Sequence, residues 1–304
     1  MQAKIIEAKR SGIRLELETI GKAVEVAEGF WIIGTRHRPG LSKHMFEINN
    51  RCLVFRLQDQ SLGRPVLVVV NAVDPLLAIP EVRRLEHETG LPVRYIISPG
   101  GGHHLQVEPW HQQFTQAQVL FGPVRVPFTA HGKELMKLPR VSTMDLRDPL
   151  PQLRGQLEAV LFNGLVGPAD HQSPGEGARD TKLGFYARMV KFMTGRQDMP
   201  VDELWLHHVP TGTVIAGENL AWYYTAETLK GQPFMLRSMV KADRLFIWDM
   251  ARKVGDAAAV KESWQRILAW PARTLMTYHD PATVAFTGDY QGALTEAVRA
   301  AKQI

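Results

Sequence analysis

The stretch from residue 66 to residue 104 constrains the fold more than any other part of the chain. Val66-Leu67-Val68-Val69-Val70 is a β-branched run of the kind that forms a strand buried on both faces. Pro80 suits the opening of a helix over 81–89, Gly90 supplies its C-terminal stop, and Pro92 bars continuation. A second buried-type strand follows over 93–97 and runs directly into Ser98-Pro99-Gly100-Gly101-Gly102-His103-His104. Strand, helix, strand is the unit of an α/β layered domain. Ligands of such domains gather where strands end, so a glycine loop carrying two histidines is the first place to look for chemistry.

Strand-like runs over 30–33 and 52–55 precede this unit, set apart by Arg38-Pro39-Gly40 and Leu62-Gly63-Arg64-Pro65. Beyond it the pattern predicts a helix from Pro109 to about 115 and a strand over 119–121. An irregular, proline-punctuated stretch follows from 123 to 151, then apolar spacing over 157–165 and an exposed loop over 168–180. Residues 183–193 have helical spacing with aromatics and Met, which suits core packing or a lid. Strands over 203–208 and 213–216 flank a turn at Pro210 to Gly212. Helices are expected over 221–229, 235–243 and 257–268, a late strand over 274–277, and a closing amphipathic helix over 290–301. No repeat or dividing linker interrupts the pattern, so one domain over 1–304 is expected, with an irregular insertion around 168–200.

Composition removes several classes. With 45% hydrophobic and 22% charged residues in 304, disorder, collagen and coiled coil are excluded as global descriptions. A net charge of +5 without a clustered Lys/Arg stripe is no nucleic-acid footprint. The single cysteine, Cys52, stands in an apolar run and reads as a buried hydrophobe in a reducing compartment. No apolar run approaches the ~20 residues of a membrane helix, so a cytoplasmic protein without membrane contact is expected. No Gly-Lys-Ser/Thr phosphate loop or Gly-x-Ser-x-Gly elbow is present. Lys182 to Lys191 and Trp222-Tyr223-Tyr224 suit an anionic or aromatic small-molecule substrate, or else a solvated face and core packing. Strand edges and aromatic helices would serve either a homodimer or an internal core.

Several of the eleven histidines stand where strands should end. His103-His104 follow the strand over 93–97, and His207-His208 close another. Glu218 follows a third strand through Ala216-Gly217, and His279 a fourth in Thr277-Tyr278-His279-Asp280. Each alone is ordinary: a His pair is more often hydrogen-bonded core than a ligand set, and a lone Glu is usually solvated. Their recurrence at successive strand ends points to a borderline divalent metal, which imidazole and carboxylate bind well.

The order of these features resembles the metallo-β-lactamase superfamily. The likeness is closer to a branch with Pro-x-x-x-His-His, a Trp six residues after the second His, and His-x-Pro-Ser/Thr-x-Thr leading to an acid. Here these are Pro99 to His104, Trp110, His208-Val209-Pro210-Thr211-Gly212-Thr213 and Glu218, and the resemblance spans about residues 25 to 285. It implies an α/β protein of four layers, an αββα sandwich, with zinc or iron at its site. In typical members the first motif reads His-x-His-x-Asp-His. Laid so that its last His falls on His104, the leading His positions become Pro99 and Gly101 and the Asp position becomes His103. The family roles then imply one metal held by His103, His104, Glu218 and His279, with His208 as a fifth ligand or proton carrier and His207 as its rival. Glu218 and His208 become the candidate catalytic groups. The alternative is a distorted two-metal site recruiting His111 or Glu108. The implied function is a metal-dependent hydrolase-like protein. An iron oxidoreductase on the same fold, or a binding protein that has lost the hydrolytic site, are the alternatives.

Overall fold

The computed structural model describes residues 20–37, 48–100, 106–124, 126–128, 130–168, 198–217, 221–223, 226–230, 237, 241–242, 244–247, 253–278, 286–287 and 289–301, together with two short strands near the start. Those two, β1 (Ile5–Glu7) and β2 (Arg14–Glu16), pair antiparallel.

The first large sheet contains β3 (Ala23–Ala27), β4 (Phe30–His37), β5 (Ile48–Asp59) and β6 (Arg64–Val70), joined antiparallel in sequence order. Helix α1 (Pro75–Thr89) then crosses over to β7 (Val93–Ile97), which lies parallel to β6. After α2 (Val107–Gln113), β8 (Gln118–Phe121) adds parallel to β7; after α3 (Ala130–Leu135), β9 (Val141–Thr143) adds parallel to β8. Helix α1 starts earlier than its proline suggested. The Asp74 carboxylate caps it by accepting from the Leu76 amide, and Pro80 lies inside it. Gly90 ends it at φ 67°, as the sequence required.

The second sheet is built from β10 (Leu157–Pro168), β11 (Asp198–His208) and β12 (Thr213–Ile215), each antiparallel to the one before. A separate antiparallel pair, β13 (Ala221–Tyr223) and β14 (Leu245–Ile247), brackets α4 (Ala226–Lys230). The expected helix over 221–229 is therefore a strand followed by a short helix. Strand β15 (Lys253–Val254) pairs with β10, and α5 (Ala257–Leu268) follows with Asp256 as its cap. Strand β16 (Thr274–Met276) lies parallel to β12, β17 (Phe286–Thr287) pairs with β16, and α6 (Tyr290–Ala300) closes the chain.

Side-chain alternation assembles four layers. On β6, Val66, Val68 and Val70 turn toward the second sheet, where they share a core with Leu161, Leu204, Leu206, Ile215 and Met276. Leu67 and Val69 turn the other way, onto Ala78, Val82 and Leu85 of α1 and Trp110 of α2. On the second sheet, Val160, Phe162, Trp205, Val214 and Leu275 pack against Val260, Trp264 and Ile267 of α5 and Leu294 of α6. Each fully buried side chain of this kind contributes about 1.5–3 kcal/mol, which makes these three interfaces the main source of stability. The result is the expected αββα sandwich. Cys52 is buried within it, and burial pushes its thiol pKa far above the ordinary value. Among the described residues no helix is long and apolar enough to cross a membrane. The expected loop over 168–180, the helix over 183–193 and most of the helix over 235–243 lie outside the described residues.

Candidate metal centre

Three strands of the first sheet, β6, β7 and β8, run parallel and end side by side at Asn71, Ser98 and Gly122. Asn71 is a fully buried non-glycine residue at φ 70°, a costly conformation held by its surroundings. Its amide donates at 2.7 Å to both the Asn50 side-chain oxygen and the Arg51 carbonyl. The buried Arg51 guanidinium in turn reaches across to the second sheet, donating at 2.7 Å to the Thr277 carbonyl.

The glycine loop leaves β7 along the second sheet. Ser98 Oγ donates to the Gly100 carbonyl, the Pro99 carbonyl accepts from the Leu204 amide at 2.6 Å, and Gly100 forms a lone antiparallel bridge with Glu203. The chain leaving β12 arrives at the same place. Had Gly217 a Cβ, it would stand 3.0 Å from the Glu203 Cβ and 2.5 Å from the Trp205 indole nitrogen. Strand β16 ends beside it, with the Ala216 amide donating to the Met276 carbonyl. The segments leading to His103 and His104 and to Glu218 thus meet at Glu203, and the one leading to His279 leaves beside Ala216. Those four residues themselves lie outside the described residues. Among the described residues no three His, Cys, Asp or Glu side chains form a metal-binding group.

His208 stands elsewhere. It closes β11, which runs antiparallel to β12, so His208 pairs with Thr213 at the start of β12 while Gly217 lies past its finish. The path along the strand from residue 203 to residue 208 is about 16 Å at about 3.3 Å per residue. The His208 ring is 2% exposed, lies 5.3 Å from the Phe30 ring and 5.1 Å from the Phe55 ring, and holds Thr211 Oγ1 at 2.9 Å through Nδ1. Burial, reinforced by the neighbouring His207, pushes its pKa down to about 4. His208 is thus a buried core imidazole beside the start of β12, at the other end of that strand from Gly217.

Its rival, His207, faces the helical layer instead, stacked on Trp270 at 5.6 Å with Glu158 Oε2 at 3.6 Å. Burial lowers its pKa, and the Glu158 carboxylate opposes that only in part. His111 Nε2 is engaged with the Pro139 carbonyl at 2.8 Å, and Glu108 is exposed on α2. Trp110 is fully buried, its indole N–H donating to the Val73 carbonyl at 2.8 Å.

Two buried carboxylates at the meeting point were missed in the sequence. Asp202 Oδ2 accepts from the Val124 amide at 2.8 Å and lies against Gly122, where a Cβ would collide with it. Glu203 is fully buried. Their signal was faint: two adjacent acids opening an apolar strand read as solvated.

No family model matches the chain, and no curated protein matches it in sequence. Solved structures do match its architecture. A metallo-β-lactamase from Erythrobacter litoralis, with β-mercaptoethanol in the active site, is 15% identical at a TM-score of 0.50, over 99% of this chain and 100% of that one. The metallo-β-lactamase FIM-1 from Pseudomonas aeruginosa, in its mono-zinc form, is 12% identical at 0.50, over 92% of this chain and 95% of that one. The chain has the metallo-β-lactamase fold. The metal-soaked Flv1 flavodiiron core from Synechocystis sp. PCC6803 matches at 0.51 with 12% identity, over 93% of this chain and 60% of that one. Identities this low carry the fold and leave activity to be argued from residues. The fit of a metal to this example of the metallo-β-lactamase fold rests on two observations. Among the described residues, the buried Trp205 indole nitrogen beside Gly217 and the buried Thr277 hydroxyl past the end of β16 have no hydrogen-bond partner. The segments converging there carry three imidazoles and a carboxylate, the donor types that zinc and iron accept.

Proposed function

We propose that the protein is a metal-dependent, hydrolase-like enzyme whose cation is held by His103, His104, Glu218 and His279 beside the ends of β7, β12 and β16. The observation that carries this is the meeting of two glycines on one residue: Gly100 bridges Glu203 and Gly217 packs on it. Ligands far apart in sequence need such a meeting point. The mono-zinc lactamase and the metal-soaked flavodiiron core, which share this fold, support a divalent metal here. When bound, a divalent cation supplies Lewis acidity toward a carbonyl or phosphoryl oxygen and acidifies water.

The chain's own residues then have defined parts. Arg51 fixes the Thr277 carbonyl and with it the approach of His279. The Pro99 carbonyl, tied to Leu204, fixes the root of the glycine loop and with it the approach of His103 and His104. Glu218 is the carboxylate of the set and its candidate proton acceptor. His208 is left out, because it lies at the far end of β12. The substrate class that Lys182 to Lys191 and Trp222-Tyr223-Tyr224 in the sequence suit is an anionic or aromatic small molecule.

Metal analysis of the purified, zinc-supplemented protein tests the reading. About one equivalent is expected, lost in His104→Ala and His279→Ala and kept in His208→Ala. No metal in the wild type, or full occupancy in His104→Ala, overturns it. Iron with a redox signal moves the activity to the oxidoreductase class.

A further inference from the structure

The turn that follows α2, over 113–116, holds no charged residue of its own, yet three arginines reach it. Arg83 of α1 donates to the Gln113 carbonyl and lies over the Phe114 ring at 4.2 Å, with Glu86 as its carboxylate partner. Arg94 of β7 donates to the Gln116 carbonyl at 3.4 Å, and Arg140, just before β9, donates to the Gln116 side-chain oxygen at 3.3 Å. Among the described residues neither Arg94 nor Arg140 has a carboxylate partner. Arg94 lies over the Tyr95 ring at 5.7 Å, but Asp59, at the hydroxyl of that ring, is already engaged by Tyr95 and by the Ser61 and Leu62 amides. Arg94 Nε is buried with no acceptor. Arg140 stands at φ 61°, a costly conformation for a residue with a side chain, and its carbonyl is tied down by the Val119 amide at 2.8 Å. Two guanidiniums drawn to one neutral glutamine repel each other, and the partial burial of Arg94 removes water that would screen them.

We propose that Arg94 and Arg140 form an oxyanion site, separate from the candidate metal centre, that takes a phosphate dianion, either free or as the end of a phosphomonoester. A guanidinium carries five N–H donors in a planar fork, and each of these two uses one on Gln116. Gln116 therefore orients both forks while cancelling neither charge. A carboxylate presents one edge and one negative charge, which suits a single fork. A phosphate dianion presents at least three oxygens and two charges, which match the pair. Gln116 and Arg140 are exposed, so the anion has a way in from solvent. Arg94 stands near the start of β7, and the four residues from it to Ser98 span about 13 Å. The site thus lies at the end of β7 away from the glycine loop.

Isothermal titration of the full chain with inorganic phosphate at low ionic strength tests this, with potassium chloride of equal ionic strength as the blank. One equivalent should bind. Arg94→Gln and Arg140→Gln should each weaken that binding by about 10–100-fold, the worth of a charged hydrogen bond. Arg140→Lys, which keeps the charge and loses the fork, should not restore it. Arg56→Gln removes the same unit of charge from an ion-paired surface arginine elsewhere and should keep wild-type affinity. The metal content of all these variants should equal that of the wild type. Glycerol 2-phosphate then separates the two sources: binding as tight as phosphate or tighter assigns the site to a phosphomonoester, and binding at least tenfold weaker assigns it to free phosphate. A wild type that binds no phosphate overturns the proposal, as does binding that persists undiminished in Arg94→Gln and Arg140→Gln. If Arg94→Gln does not fold, the exposed Arg140→Gln decides.

Discussion

Arg51 on the first sheet donates to the carbonyl of Thr277 at the end of the second, a 2.7 Å contact between residues 226 apart in the chain. Both are buried, Arg51 at 3% exposure and Thr277 at 2%. A hydrogen bond from a charged donor contributes more than a neutral one, and a buried acceptor left alone costs more still. Arg51→Met, which keeps the length of the stem, should therefore lower the unfolding free energy by about 2–3 kcal/mol in urea titration with an unchanged slope. A midpoint equal to wild type would show that this contact contributes nothing to the joining of the sheets.

The buried imidazole of His208 makes stability depend on pH. Its pKa falls from the ordinary 6.5 to about 4 in the folded protein, because burial disfavours the charged ring and His207 adds to the effect. Between these values the unfolded chain binds a proton that the folded one refuses. Stability is therefore greatest above pH 6.5 and falls as the pH drops toward 4, by about 3 kcal/mol from this group alone. His207, also lowered by burial, acts in the same direction. His208→Gln should flatten the measured dependence across this window. An unchanged slope would place the titration elsewhere.

Gly217 is expected to tolerate no side chain. An alanine Cβ would meet the Trp205 indole at 2.5 and 2.9 Å and the Glu203 Cβ at 3.0 Å, and neither neighbour has room to retreat within the core. Gly217→Ala should cost about 1–3 kcal/mol by overpacking and reduce zinc uptake with it. Thermal melting and metal content measured on the same sample check the two effects together.

The opposite end of the sandwich supplies a contrast. The Tyr95 hydroxyl donates at 2.7 Å to Asp59 Oδ2, while Asp59 Oδ1 accepts from the amides of Ser61 and Leu62 at the β5–β6 turn. Burial works to raise the Asp59 pKa, but these hydrogen bonds outweigh it and hold the carboxyl below its ordinary value. Tyr95→Phe should lower stability by about 1–2 kcal/mol with no change in zinc stoichiometry. A loss of metal in this variant would mean that the two ends are coupled.

Local signals carried much of the fold. The strand over 93–97 and the helix over 257–268 stand where the sequence predicted, because apolar spacing and flanking turn residues set them without help from afar. The helix expected over 221–229 was lost in part to a distant partner: Ala221–Tyr223 pairs with Leu245–Ile247, and pairing of that kind overrides local helical preference. The early start of α1 was hidden by Leu76, which is 85% exposed and breaks the apolar stripe that marks a helix.

By itself the sequence determined the layered α/β class, the buried strand that feeds a glycine loop, and the residue types suited to a metal. It could not say which strand ends share one end of the sandwich, because direction within a sheet is a property of pairing. Strands β12 and β16 are parallel, so Gly217 and Thr277 leave together; β11 is antiparallel to β12, so His208 leaves the other way. Tertiary pairing alone separated that histidine from the meeting point and brought Glu203 and Trp205 into it.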